Sequence, residues 1–136
     1  MRLSHLFALI AAAAALPALA HAATYKKEGC QVSVPDGWVE SRSRVARPDK
    51  KIWASLMQGG SAAEIVQVEA GLQATKVSED GHIILMVSTA SFGGLTNRQY
   101  HAITKTTPSC VADVTSPAGP DEATARQIAA TVGLAR

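Results

Sequence analysis

Two cysteines occur in the 136 residues, Cys30 and Cys110. They stand far apart, so the chain has no Cys-x-x-Cys spacing for metal binding or thiol redox chemistry. Histidine is scarce as well. Of four, His5 and His21 fall in the first 22 residues, leaving His82 and His101. No His-x-x-x-His pattern joins them, so no metal site is expected, and both read as surface or partly buried side chains. Neither sign of charge dominates: 13 Lys and Arg face 11 Asp and Glu, which gives no global pull toward nucleic acid or membranes. No P-loop or dinucleotide fingerprint surrounds Gly59-Gly60 or Gly93-Gly94, so these read as turns and no cofactor is expected. A Gly-x-Ser-x-Gly elbow is also missing.

What is present begins with an export signal. Met1, Arg2 and His5 form a short cationic start, and Leu6 to Leu16 is uninterruptedly apolar until Pro17. Ala20 and Ala22 have the spacing of a signal-peptidase site, with cleavage expected after Ala22 or Ala20. The apolar stretch is too short to cross a hydrocarbon core about 30 Å thick at about 1.5 Å per residue. Lys27, Glu28 and Gly29 before Cys30 do not form a lipidation signal. The expectation is a signal peptide over 1–22, then one periplasmic or secreted domain over 23–136 with no transmembrane segment. That length suffices for one core and not for two.

Export implies an oxidising compartment, where two cysteines usually form one disulfide. Cys30 alternates with Val32 and Val34, and Cys110 with Ala112 and Val114. Because strand side chains alternate between faces, each cysteine joins the apolar face of its own strand. A buried inter-strand bridge, closing a loop of about 80 residues and worth roughly 4 kcal/mol in the chain-entropy account, follows.

Along the mature chain, Cys30 to Val34 reads as a strand, Pro35-Asp36-Gly37 as a turn, and Trp38 onward as a second extended piece. Residues 41–51, "SRSRVARPDKK", read as loop or exposed edge. Ile52 to Gln58 alternates as a strand, with Ile52, Ala54 and Leu56 on one side. Ser61 and Glu64 have capping-box spacing and predict a helix over 62–74 with Ile65, Val68 and Leu72 on its apolar stripe. A strand competes there, because Val66, Val68 and Ala70 also alternate. Residues 78–81 read as a turn, His82 to Ala90 as a central strand apolar on both faces, and 92–97 as a loop. Arg98 to Thr106 and Ser109 to Thr115 read as a hairpin. Asp121 is expected to cap a last helix reaching about Val132, burying Ala125, Ile128, Ala129 and Val132. The fold class is α+β: an antiparallel sheet flanked by helices, including a C-terminal one, with one inter-strand disulfide.

"VSVPDGW" at 32–38 resembles the V-P-x-G-W entry of Mog1/PsbP-like proteins, which include small periplasmic DcrB-like proteins. The close of the chain is similar too, with "CVADVTSP" followed by "DEATARQIAATV". The resemblance covers residues 30–132 in pattern and element order. It implies a sandwich built on an antiparallel sheet and an accessory or interaction role without a common active site, so it transfers no catalytic or binding residue.

Enzyme chemistry has only scattered support. Ser88 or Ser91, with Asp80 or Asp113 orienting a histidine, could compose a hydrolase triad, which only geometry can identify. Glu79-Asp80 and Asp121-Glu122 fit a turn and a helix start. The strongest asymmetry is the basic loop, Arg42, Arg44, Arg47, Lys50 and Lys51, flanked by Trp38 and Trp53. It could meet a protein or an anionic envelope partner, or it could keep an edge strand soluble. The reading is a non-enzymatic exported interaction or accessory module, of inhibitor or immunity type in its sharper form. The alternatives are a small-ligand carrier with a pocket between the sheet and the C-terminal helix, and a small hydrolase using His82 or His101.

Overall fold

The computed structural model describes residues 21–136. The leader expected over 1–22 therefore lies almost wholly outside the described residues. Strand β1 (Ala22–Lys27) pairs with β2 (Cys30–Pro35) through a tight turn at Glu28-Gly29. The alternation in β2 does what its sequence suggests: Cys30, Val32 and Val34 are buried between less buried neighbours. β10 (Gly133–Leu134) adds to the other edge of β2, completing a three-stranded antiparallel sheet.

The second sheet has seven antiparallel strands in the order β3-β4-β5-β9-β8-β7-β6. These are β3 (Val39–Glu40), β4 (Val45–Ala46), β5 (Trp53–Gln58), β6 (Thr75–Glu79), β7 (Ile83–Phe92), β8 (Leu95–Thr104) and β9 (Cys110–Pro117). Helix α1 (Ala62–Gly71) links β5 to β6, and α2 (Glu122–Ala129) follows β9. The fold is thus α+β with mostly antiparallel strands. No helix among the described residues is long and apolar enough to cross a membrane.

Strand parity divides the large sheet. On one face Ala54 and Leu56 of β5, Ala112 and Val114 of β9, and Tyr100 and Ala102 of β8 join Cys30, Val32 and Val34 in the main core. Ala125, Ile128 and Ala129 of α2 close this core and are fully buried, as their spacing suggests. The Cys30–Cys110 disulfide bridges β2 to β9 and so ties the two sheets together. On the opposite face Met86, Ile103 and Val111 pack with Ala62, Ile65 and Val66 of α1.

Several expectations are corrected. The α1 stripe is rotated: Val68 and Leu72 are exposed, and Glu69 is buried beside the sheet instead. Residues 78–79 belong to β6, a strand whose side chains are all exposed, and the turn falls at 80–82. β7 lies one strand from the edge, and its pairing with β6 stops at Val87. Residues 92–97 are no long loop. Gly93 and Gly94, at φ 55° and 80°, form a two-residue hairpin turn between β7 and β8, which demands positive φ at both positions. The 41–51 segment contains β4, whose Val45 is buried. Asp121 makes no capping bond, and α2 stops at Ala129. Where α2 meets the sheet, Ala125, Ile128 and Ala129 pack fully buried. A groove of about 710 Å³ opens past the end of α2, lined by His82, Thr104, Val132 and Arg136 among others.

Candidate functional site

The 42–51 segment carries β4 and the connection into β5, and its basic residues have different fates. Arg47 is committed: it donates to Asp49 at 2.9 Å and forms a fork with both oxygens of Asp121 at 3.0 and 3.1 Å. Those carboxylates, Asp49 foremost, hold the guanidinium even more firmly protonated than usual. Arg42 is exposed, and its carbonyl accepts from Lys27 Nζ at 2.9 Å. Trp38 turns away and packs against the main core.

The rest converge. Arg44 lies over the Trp53 ring at 4.8 Å from its centre, a cation–π contact. Lys50 and Lys51 are exposed beside Trp53 and line a groove of about 550 Å³ with Leu95, Asn97 and Pro117. Sheet register explains the assembly. Trp53 pairs with Thr115, Thr115 with Gln99, and Phe92 with Leu95, all on the α1 side of the large sheet. Phe92 and Leu95 stand at the hairpin tip, 64% and 70% exposed. The groove therefore has an aromatic and apolar floor and a lysine rim.

A second cluster lies on the same face, beside α1. His101 of β8 pairs directly with Asp113 of β9, and Ser88 of β7 lies one diagonal step away. His101 Nδ1 is 2.6 Å from Asp113 Oδ1, and Nε2 is 2.9 Å from Ser88 Oγ. Glu69 reaches down from α1 to 3.5 Å from Nδ1. His101 is 4% exposed and Glu69 8%. Burial pushes the Glu69 carboxyl up, and the Asp113 charge adds to that. Burial works against a charged His101, yet the Asp113 hydrogen bond and the two carboxylate charges outweigh it and raise the imidazole above its ordinary value.

Ser88, His101 and Asp113 thus have the hydrogen-bond order of nucleophile, base and orienting acid. Asp80 plays no part, because its carboxylate accepts the backbone N–H groups of His82 and Ile83 at 2.7 and 2.9 Å. Ser91 has the opposite strand parity and is exposed. His82 is exposed as well. Acyl transfer also needs a cleft at the serine and donors for an oxyanion. His101 itself is covered, and a groove lined by Glu69 and Val111 opens beside the cluster. Glu69 carried no functional signal in the sequence. Its one trace was the capping box, which locates the helix without giving its rotation.

No protein-family model and no curated protein matches this chain. A solved structure of a protein from Bacteroides thetaiotaomicron aligns with a TM-score of 0.45 and 16% sequence identity. The match covers 85% of this chain and 42% of the other, so the chain spans less than half of that protein's length.

Proposed function

We propose that this is an exported, non-enzymatic interaction module acting in the periplasm or outside the cell, which grips an anionic partner protein through the groove between the 42–51 loop and the β7–β8 hairpin. The observation that carries the reading is the convergence of Lys50, Lys51 and the Arg44-capped Trp53 on one groove with Leu95. Exposed lysines at a rim steer and orient an acidic surface, and a rigid aromatic beneath them supplies the anchor of a binding hot spot. The Cys30–Cys110 bond suits an oxidising compartment. The resemblance to Mog1/PsbP-like accessory proteins points the same way, and an inhibitor or immunity-type role is its sharper form.

The test is affinity capture from envelope extract with the oxidised protein as bait, beside Lys50→Glu/Lys51→Glu and Trp53→Ala variants. Arg47 is left intact, since reversing its charge would break the loop's tie to Asp121. An acidic protein retained by the native bait and lost with both variants supports the reading. Equal retention by all three baits moves the interface elsewhere and refutes it.

A further inference from the structure

We propose that Glu69, His101 and Asp113 form a binding site for one divalent transition-metal ion of the Zn²⁺ class, held by His101 Nδ1 and one oxygen from each carboxylate. Their donor atoms all lie within 4.8 Å of one another. An ion at about 2.0–2.2 Å from each ligand can reach all three after small side-chain rotations. The residues come from α1, β8 and β9, so the folded sheet and its covering helix assemble the site.

Charge and hydrogen bonding both leave a cation wanting. Two carboxylates face one imidazole, which supplies at most one positive charge. The Nδ1 proton is committed to Asp113 at 2.6 Å, so Glu69, at 3.5 Å, has proximity without a hydrogen bond of its own from that ring. A carboxylate buried to this degree is costly unless paired or bound to metal. An apolar residue at position 69 would continue the packing of Ile65 and Val66, yet glutamate stands there.

Ser88 completes the arrangement. Once an ion displaces the Nδ1 proton, Nε2 keeps its own proton and donates it to Ser88 Oγ at 2.9 Å, while the Nδ1 lone pair faces the carboxylates. Metal-bound histidines commonly anchor their second ring nitrogen in this way. On loading, the Nδ1 proton leaves to solvent and the ion takes its place between the imidazole and the carboxylates. One imidazole nitrogen with two carboxylate oxygens favours Zn²⁺-like ions over Mg²⁺ or Ca²⁺, which prefer oxygen alone. Access exists as well: the Asp113 side chain is 21% exposed, and a groove of about 260 Å³ lined by Met57, Val68, Glu69 and Val111 opens beside the site. Water would complete the coordination from that side.

A serine-nucleophile reading uses the same Ser88–His101 contact with the proton running the other way, from Ser88 to Nε2. One experiment separates the two. The untagged, disulfide-bonded protein is stripped with chelator and titrated with Zn²⁺ by calorimetry and with Co²⁺ by visible absorption. In parallel, a fluorophosphonate probe tests Ser88. The expected result is one equivalent of either ion, a Co²⁺ band typical of low coordination number, and no labelling. Glu69→Gln and Asp113→Asn should each abolish the band, and Ser88→Ala should weaken Zn²⁺ binding by about tenfold or more. Glu69→Gln keeps the shape and removes a buried charge, so it tests the site in a folded protein. Failure of the wild type to bind either ion overturns the proposal. So does wild-type affinity in Glu69→Gln, or labelling of Ser88.

Discussion

Asp121 and Glu122 stand side by side at the start of α2 and serve different partners. Asp121 grips Arg47 and so ties the basic loop to the helix. Glu122 accepts from the Tyr100 hydroxyl at 2.5 Å and from the Gly119 N–H at 2.9 Å, and these bonds, Tyr100 first, hold its carboxyl below the usual range. A carboxyl depressed on folding contributes stability that is present above its unfolded pKa. That stability is lost as pH falls through the lower folded value. The melting-temperature gap between wild type and Glu122→Gln should therefore be constant at neutral pH and shrink as pH drops below about 4.5, the ordinary value for a glutamate. Thermal melts across that range check it, and a gap independent of pH would remove Glu122 from the account. Lys50 presents a second case. Its φ of 63° is left-handed, a conformation that costs a residue with a Cβ about 1–2 kcal/mol, part of which glycine recovers. Lys50→Gly should raise stability by about 0.5 kcal/mol in chemical denaturation while weakening partner capture. Destabilisation instead would show that the lysine side chain supports the loop.

Helix α1 carries the clearest contrast at the scale of elements. Its start was legible, because Ser61 Oγ accepts from the Glu64 N–H at 3.3 Å and also bonds the Glu64 carboxylate at 3.0 Å. Its rotation was not, because a buried glutamate interrupts the apolar pattern by which a buried stripe is read. The observed rotation makes a direct prediction. Ile65→Ala should cost about 1–2 kcal/mol, since Ile65 packs on the α1 side of the sheet. Val68→Ala, at 61% exposure, should stay within about 0.5 kcal/mol. Denaturant melts of the two variants check this, and a loss at Val68→Ala as large as at Ile65→Ala would restore the stripe expected from sequence, which held both residues. Strands β2, β5 and β9 were legible because one face is apolar and packed, so alternation survives in the residues. β6, "TKVSE", buries no side chain and leaves no such trace. The serine, histidine and aspartate of the buried cluster were all visible as residues. Their meeting was not, because it depends on the pairing of His101 with Asp113 and on the β7–β8 register.

For the molecule as a whole, the question is what joins the two sheets. β2 and β9 belong to different sheets, and the disulfide connects them across a sequence separation of 80 residues. Around it the main core is continuous: Val32 and Val34 from the small sheet meet Ala112 and Val114 from the large one and Ile128 from α2. The bond and the packing therefore act at the same seam. In the chain-entropy account, closing a loop of that length contributes about 4 kcal/mol, a large share of the usual 5–15 kcal/mol for a domain. Cys30→Ser, which opens the bond, should lower stability by roughly that amount. The loss should appear first at the small sheet, because β1 and β10 rely on β2 alone for their strand pairing. In hydrogen exchange, β1 and β10 should lose protection before β8 and β9, which sit inside the seven-stranded sheet. Loss of protection in all strands together would mean that the two sheets form one cooperative unit even without the bridge. In that case the packed core alone, and not the disulfide, would hold the groove face in place.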